Sequence, residues 1–313
     1  MDWLIAFIPT ILFAINPTIV NKVGAKGFKQ QLGTMIGAVI FAIVVFFITF
    51  STSIKDLSNG NPSIYYIPLF SGFFWSFGQF FQYQVLIYLG TTLGFPLCAG
   101  LNIIFNGLVS FFIFHEWQTT NTILLGFFGI LTILIGCILT TYVDKSKKSE
   151  IDKKKFLLGF ISLIISAIFL TIYAAVPKFV TMDGISSSST LLPQAIGIII
   201  GTIIVTLIMH FKEVKEHKVN NQNEVTKIWD KQLLFSIIPG LLWGAANLAL
   251  IYAESTLGLA IGFTLSQMCA PLSTFISLVL LKEYKQKTHK ELIFVVLGNV
   301  IIVAGCITVG FTM

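Results

Sequence analysis

Trp75, Gln79 and Gln82 follow one another at spacings of four and three, which on a helix sets an indole and two carboxamides on one face. Asn102 and Asn106, four apart, make a second amide pair, and Trp243 with Asn247 repeats the Trp-plus-amide spacing 168 residues beyond Trp75 and Gln79. Carboxamides both donate and accept hydrogen bonds, and an indole is a flat apolar plate with a polar edge. Such faces suit a neutral ligand with several hydroxyls and a C–H face, as a sugar has. Asn16 and Gln267 add amides to other apolar stretches. Buried amides also hold helices together, at about 0.6 to 2 kcal/mol each, so for any single residue both roles stay open.

The remaining chemistry is sparse. Glu254, at the end of an apolar run, is the one acid suited to exchanging a proton inside a membrane. Glu116 and Glu283 stand beside aromatic residues at the ends of their runs, where interfacial anchoring is expected. Cys98, Cys137, Cys269 and Cys306 lie singly in apolar stretches, and His115, His210, His217 and His289 lack metal-ligand spacing, so neither a disulfide, a metal site nor a cofactor is expected. No phosphate loop of the GxxxxGK[ST] type is present, so no ATPase activity of the chain's own is expected and no ATPase subunit is called for. The clustered acids or histidines that a membrane enzyme acting on lipid-linked substrates would need are also missing, so no catalytic residue is assigned.

The elements that must carry these residues are set by composition. The chain has 313 residues, 55% hydrophobic, 14% aromatic and only 11% charged, with a mean hydropathy of +0.87. Soluble proteins carry roughly a quarter charged residues; this is the composition of an all-α integral membrane protein lying in a lipid bilayer. Apolar runs near residues 3–24, 32–50, 64–88, 91–114, 122–143, 156–180, 190–211, 232–254, 258–281 and 290–311 predict ten transmembrane helices. The first run has no basic leader and is expected to remain as a helix. All 20 basic residues are Lys. Their net excess of +6 marks membrane sidedness rather than a nucleic-acid partner. With both termini extracellular, 18 of the lysines face the cytoplasm and only Lys55 and Lys178 face outward.

The chain also repeats itself. Gly72-Phe-Phe-Trp75-Ser-Phe-Gly-Gln79 is echoed by Gly240-Leu-Leu-Trp243-Gly-Ala-Ala-Asn247. Downstream, His115-Glu116-Trp117 answers Lys282-Glu283-Tyr284, and Gly129 with Gly136-Cys137-Ile138 answers Gly298 with Gly305-Cys306-Ile307. Upstream, Phe13 pairs with Phe169, Lys22 with Lys178 and Gly37 with Gly197. Two repeats, 1–150 and 151–313, of five helices each must cross the membrane in opposite senses. Inverted repeats are a transporter architecture, with the site near the midplane between the halves. Gly33-xxx-Gly37 and Gly197-xxx-Gly201 predict close helix packing, and Pro17, Pro96 and Pro271, falling within spans, each remove a helix hydrogen bond and predict kinks.

Ser71-Gly-Phe-Phe-Trp75-Ser-Phe-Gly-Gln79-Phe-Phe-Gln82, Phe95-Pro96, Glu116-Trp117, Leu192-Pro-Gln-Ala-Ile-Gly197, Pro239-Gly-Leu-Leu-Trp-Gly244 and Gly262-Phe-Thr-Leu-Ser-Gln267 together resemble the bacterial glucose/ribose uptake family of the drug/metabolite transporter superfamily. The resemblance runs over essentially the whole chain. It implies a ten-helix carrier in a bacterial plasma membrane that takes up a monosaccharide such as glucose or ribose, with protons as the coupling ion. Phe13-Ala-Ile-Asn16-Pro17, where relatives often carry Trp-Gly, and Asn102, where Gln is frequent, depart from the family pattern and bear on which sugar is taken. Export of amino acids or other metabolites is the alternative within the superfamily, disfavoured by the lack of buried charge. A membrane sugar sensor that binds without transporting is the alternative of another class.

Overall fold

The computed structural model describes residues 2–24, 27–58, 62–89, 91–142, 153–219, 229–280, 284 and 287–312, and among these no strand occurs. The helices are α1 (Asp2–Val23), α2 (Gly27–Ile48), the short α3 (Phe50–Ser58), α4 (Ser63–Leu89), α5 (Thr91–Phe112), α6 (Thr120–Thr140), α7 (Lys153–Met182) and α8 (Ser187–Val219). Beyond them run α9 (Lys231–Phe235), α10 (Ile237–Leu257), α11 (Leu259–Gln267), α12 (Cys269–Leu280) and α13 (His289–Gly310).

Seven stretches of described helix are long and apolar enough to cross a membrane: Phe28–Ile48, Thr120–Thr140, Lys153–Met182, Ser187–Lys212, Lys231–Leu257, Leu259–Ile276 and His289–Gly310. Shorter apolar stretches cover Asp2–Asn16 of α1 and Leu97–Phe112 of α5. α4 is 27 residues long but carries Trp75 and three glutamines, the polar inventory that drew attention in the sequence. Large apolar side chains point away from the bundle, among them Leu124, Phe128 and Leu131 on α6 and Ile293, Val296 and Val300 on α13. An apolar exterior around satisfied helical backbones is what hydrocarbon requires, and the chain is a multi-pass membrane protein.

Two expected spans are interrupted. The ninth breaks at Met268, between α11 and α12, because Pro271 in the first turn of α12 has no N–H to offer the Gln267 carbonyl and its ring crowds that oxygen. The eighth begins with α9, whose first turn is capped by Asp230: the carboxylate accepts from the Leu233 N–H at 3.0 Å and meets the Lys29 ammonium at 2.5 Å. Lys29 and this N–H together hold the Asp230 carboxyl below the usual carboxylate range.

α4 lies along α7 and α8, and α10 lies along α1 and α2. α2 also meets α8, and α6 is paired with α13. Glycines make the closest of these approaches. A Cβ on Gly37 would collide with the Ile237 carbonyl and come within 2.8 Å of Gly240 Cα, and one on Gly197 would collide with the Leu69 carbonyl. In the α6–α13 seam, Gly129 lies against Gly305 and Gly136 against Gly298, where added Cβ atoms would stand 2.7 to 3.0 Å from the facing carbonyl oxygens. Cys98, Cys137 and Cys306 are buried free thiols in the apolar interior, and Cys269 is free and half-buried.

Candidate functional site

α4 and α10 bring Trp75 and Trp243 together with ring centroids 5.0 Å apart and planes inclined by 60°. Tyr173, from α7, stands 6.2 Å from each. Phe13 of α1 closes the far side of Trp243 at 6.5 Å. Trp75 and Tyr173 are buried, while Trp243 is half-buried. The sequence repeat thus becomes a physical contact: the two Trp side chains meet in the middle of the bundle.

A buried polar chain runs beside these rings. The Tyr173 hydroxyl donates to Asn247 Oδ1. Asn247 Nδ2 donates to Gln194 Oε1 at 2.7 Å, Gln194 Nε2 donates to Ser71 Oγ at 3.0 Å, and Ser71 Oγ donates to the Tyr173 carbonyl at 2.8 Å. Four helix-borne side chains from α4, α7, α8 and α10 therefore close a ring of hydrogen bonds. In a low-dielectric interior such a ring fixes its members strongly.

The other expected amide residues occupy four settings. Gln79 and Gln82 are half-buried on α4, and Gln79 Nε2 donates to Gln82 Oε1 at 2.9 Å. Asn102 and Asn106 are buried on α5, and Asn106 Nδ2 donates to the Asn102 carbonyl at 2.8 Å. The side-chain carbonyls of both have no partner, so each presents an unused acceptor. A buried acceptor without a partner costs about 1–3 kcal/mol; a bound hydroxyl would recover it. Gln267 is half-buried beside the break after α11, and its amide reaches Ser266 Oγ at 3.3 Å. Asn16 differs: its Nδ2 is spent on the Pro239 carbonyl at 2.8 Å and ties α1 to α10.

Glu254 is 2% exposed in the last turns of α10, and its Oε1 is without a hydrogen-bond partner. Nearby, the segment between α5 and α6 turns back on itself, with His115 in the left-handed region at φ 52°. Glu116 does not sit at the surface as an anchor. Its carboxylate is inward, ion-paired to Lys178 of α7, and it accepts from Ser110 Oγ and from the first two N–H groups of α11, Leu259 at 2.6 Å and Ala260 at 3.1 Å. A carboxylate on free N–H groups at a helix start is favoured by both the hydrogen bonds and the helix dipole. Gly258 precedes that start with φ +96°, and a Cβ there would stand 2.9 Å from Glu116 Oε2, so only glycine serves. Trp117 fills the space left by Gly126, and Ile130 that left by Gly107. Glu283 lies outside the described residues.

Tyr173, Gln194, Ser71 and Lys178 were not singled out as site residues from sequence. Lys178 carried a signal, since a lysine within an otherwise apolar run must find a buried partner. Tyr173 carried none, because one tyrosine among so many aromatics looks like packing.

The central side chains of this all-helical membrane bundle are paired aromatics and neutral amides. The profile of the family described as sugar transport protein matches residues 4–312, and the chain belongs to that family. A protein of Listeria monocytogenes named for sugar uptake is 34% identical over 310 residues, covering 99% of this chain and 98% of its own. The glucose uptake protein GlcU of Bacillus subtilis is 31% identical over 310 residues, again covering 99% and 98%. A solved crystal structure with 16% identity shares the fold at a TM-score of 0.67, over 98% of this chain and 95% of the other.

Proposed function

We propose that this protein takes up a neutral monosaccharide of the glucose or ribose type across a bacterial plasma membrane by alternating access, coupled to protons. It crosses the membrane ten times, with both termini outside, as two inverted five-helix repeats within 1–150 and 151–313. The observation that carries the reading is the Trp75–Trp243 pair beside the Asn247–Gln194 amides, with Tyr173 between them. The rings offer a sugar its apolar seat. Gln79, Gln82, Asn102, Asn106 and Gln267 offer exchangeable donors and acceptors around it, and Asn16 holds α1 in place.

The inverted-repeat reading is supported by reciprocity in the packing. The pairing of α4 with α7 and α8 has its counterpart in α10 with α1 and α2, which is what exchanging the halves would produce. The Gly129–Gly305 contact is the counterpart of Gly136–Gly298 under the same exchange. The placement of 18 of the 20 lysines supports the orientation. Glu254, buried and carrying an unpartnered oxygen, is the group for the coupled proton. Energy from that gradient requires no ATPase subunit.

Radiolabelled glucose and ribose, offered separately to proteoliposomes with and without an inward proton gradient, test the reading. Accumulation that requires the gradient is expected for one of the two. Binding without flux would make the protein a sensor, and flux without accumulation would remove the proton.

A further inference from the structure

Some contacts between the halves occur in reciprocal pairs. Asp230, before α9, engages Lys29 near the start of α2 at one end of the bundle. Asp56, at the end of α3, engages Ser189 Oγ at 2.6 Å and the Ser186 N–H at 3.1 Å, near the start of α8, at the other. Lys29 and Ser189 are repeat equivalents, at the offset that relates Gly37 to Gly197. These two attachments exist together, one at each end of the bundle. A further contact between the halves joins Glu116, in the segment before α6, to Lys178 of α7.

Glu254 lies where it can act on that tie. It stands one turn before Gly258, against which the Glu116 carboxylate lies. The charged and titratable groups acting on it are Lys178 and Tyr173 of α7 and Glu116 of the segment before α6. α11, which packs Gly262 against its backbone, contributes no titratable residue. Asp2 of α1 is engaged by the Tyr252 hydroxyl at 3.0 Å, and Asp56 of α3 by Ser186 and Ser189. The Lys178 ammonium, buried at 8% exposure with Phe114 4.8 Å from it, is paired with Glu116, while Glu254 keeps an oxygen without a partner.

Resting on the proton-coupled reading above, we infer that Lys178 is the positioning residue of the cycle, held by Glu116 when Glu254 is protonated and drawn to Glu254 when it is ionised. With Lys178 on Glu116, the 113–119 segment is tied to α7 and to the first turn of α11, and this end, outer in the proposed orientation, is shut. Loss of the proton from Glu254 leaves two buried carboxylates and one ammonium, an arrangement that a low-dielectric interior makes costly. Transfer of Lys178 to Glu254 releases the 113–119 segment, and exposure of the freed Glu116 carboxylate to water relieves the excess buried charge. A proton arriving from outside neutralises Glu254, returns Lys178 to Glu116 and closes this end over the sugar. The proton is bound and released unchanged, so no bond other than O–H is made or broken.

The test is a distance across the tie. Spin labels on cysteines at the exposed positions Gln118 and Thr256, with the four native cysteines replaced, report the separation of the 113–119 segment from the α10–α11 turn in reconstituted protein between pH 5 and pH 9. A short population at low pH and a growing long population at high pH are expected. Glu254→Gln is expected to keep the short population at every pH, and Glu116→Gln the long one. Opposite responses of two carboxyl variants separate a switch from a support, since a merely structural tie would loosen in one direction. A pH response that survives in either variant, or no pH response in the parent, overturns the inference. Uptake into the same vesicles keeps the two readings apart. Gradient-driven accumulation with pH-independent distances overturns the switch alone, whereas pH-dependent distances without gradient-driven accumulation uphold the switch and overturn the coupling.

Discussion

Trp75 and Trp243, 168 residues apart in the chain, stand with their rings 5.0 Å from centroid to centroid at the meeting of α4 and α10. Neither half of the chain makes this surface by itself. Trp243→Ala removes the half-buried member of the pair and is expected to raise the KM for sugar about tenfold, roughly 1.4 kcal/mol, with membrane abundance kept. Trp75→Ala, deep in the core, is expected to lower abundance as well. Initial uptake rates normalised to immunoblotted protein check both.

Gln82→Ala is expected to weaken transport at unchanged abundance, because Gln82 is half-buried and its bond to Gln79 stays within one helix. Gln194→Leu is expected to do the opposite. It leaves the Asn247 Nδ2 donor without its acceptor, at about 1–3 kcal/mol, and removes the hydrogen bond that Ser71 Oγ accepts. Thermal unfolding in detergent separates the two outcomes.

Gly136→Val introduces side-chain atoms where Gly298 O and Ile302 leave no room, with Cβ itself 2.7 Å from each. Overpacking of this kind costs about 1–3 kcal/mol or more. The expected result is a lower melting temperature and less protein in the membrane, while the KM of the surviving fraction is unchanged. A change confined to KM would disconnect this seam from stability.

Asp230 gives a pH dependence of known sign. Its carboxyl is held low by Lys29, so the stability it contributes is fully present above the unfolded-state value, about 3.9, and is lost as pH falls through the lower folded-state value. Asp230→Asn is expected to lower stability at neutral pH and to narrow its difference from the parent as the medium is acidified below about pH 4. Melting curves from pH 3 to pH 7 in detergent measure that difference.

Much of this was legible in the sequence for definite reasons. Apolar runs mark helices because hydrocarbon leaves the backbone no other partner, and the Trp-to-amide spacing survives translation because a helix turns any such spacing into a face. The α11–α12 break was announced by Pro271. What the sequence could not reveal was which distant groups share a bond. Glu116 read as an interfacial anchor because its partners, Lys178 and the N–H groups of Leu259 and Ala260, come from elements 62 to 144 residues away. Tyr173 was hidden for the same reason, as its role lies in reaching Asn247. Asn16 looked like its fellow amides, yet its partner is a backbone carbonyl whose position only the fold determines.

The α6–α13 seam has a consequence for the origin of such a chain. Gly129 faces Gly305 and Gly136 faces Gly298, so under the inverted-repeat reading proposed above each half offers the other its own counterpart surface. A contact of this kind is isologous, the form two identical subunits make about a two-fold axis. Two separate copies of a half-length ancestor, inserted into the membrane in opposite orientations, would need no second kind of surface to close this seam, and fusion of the two reading frames would then have made a standing dimer into a single polypeptide.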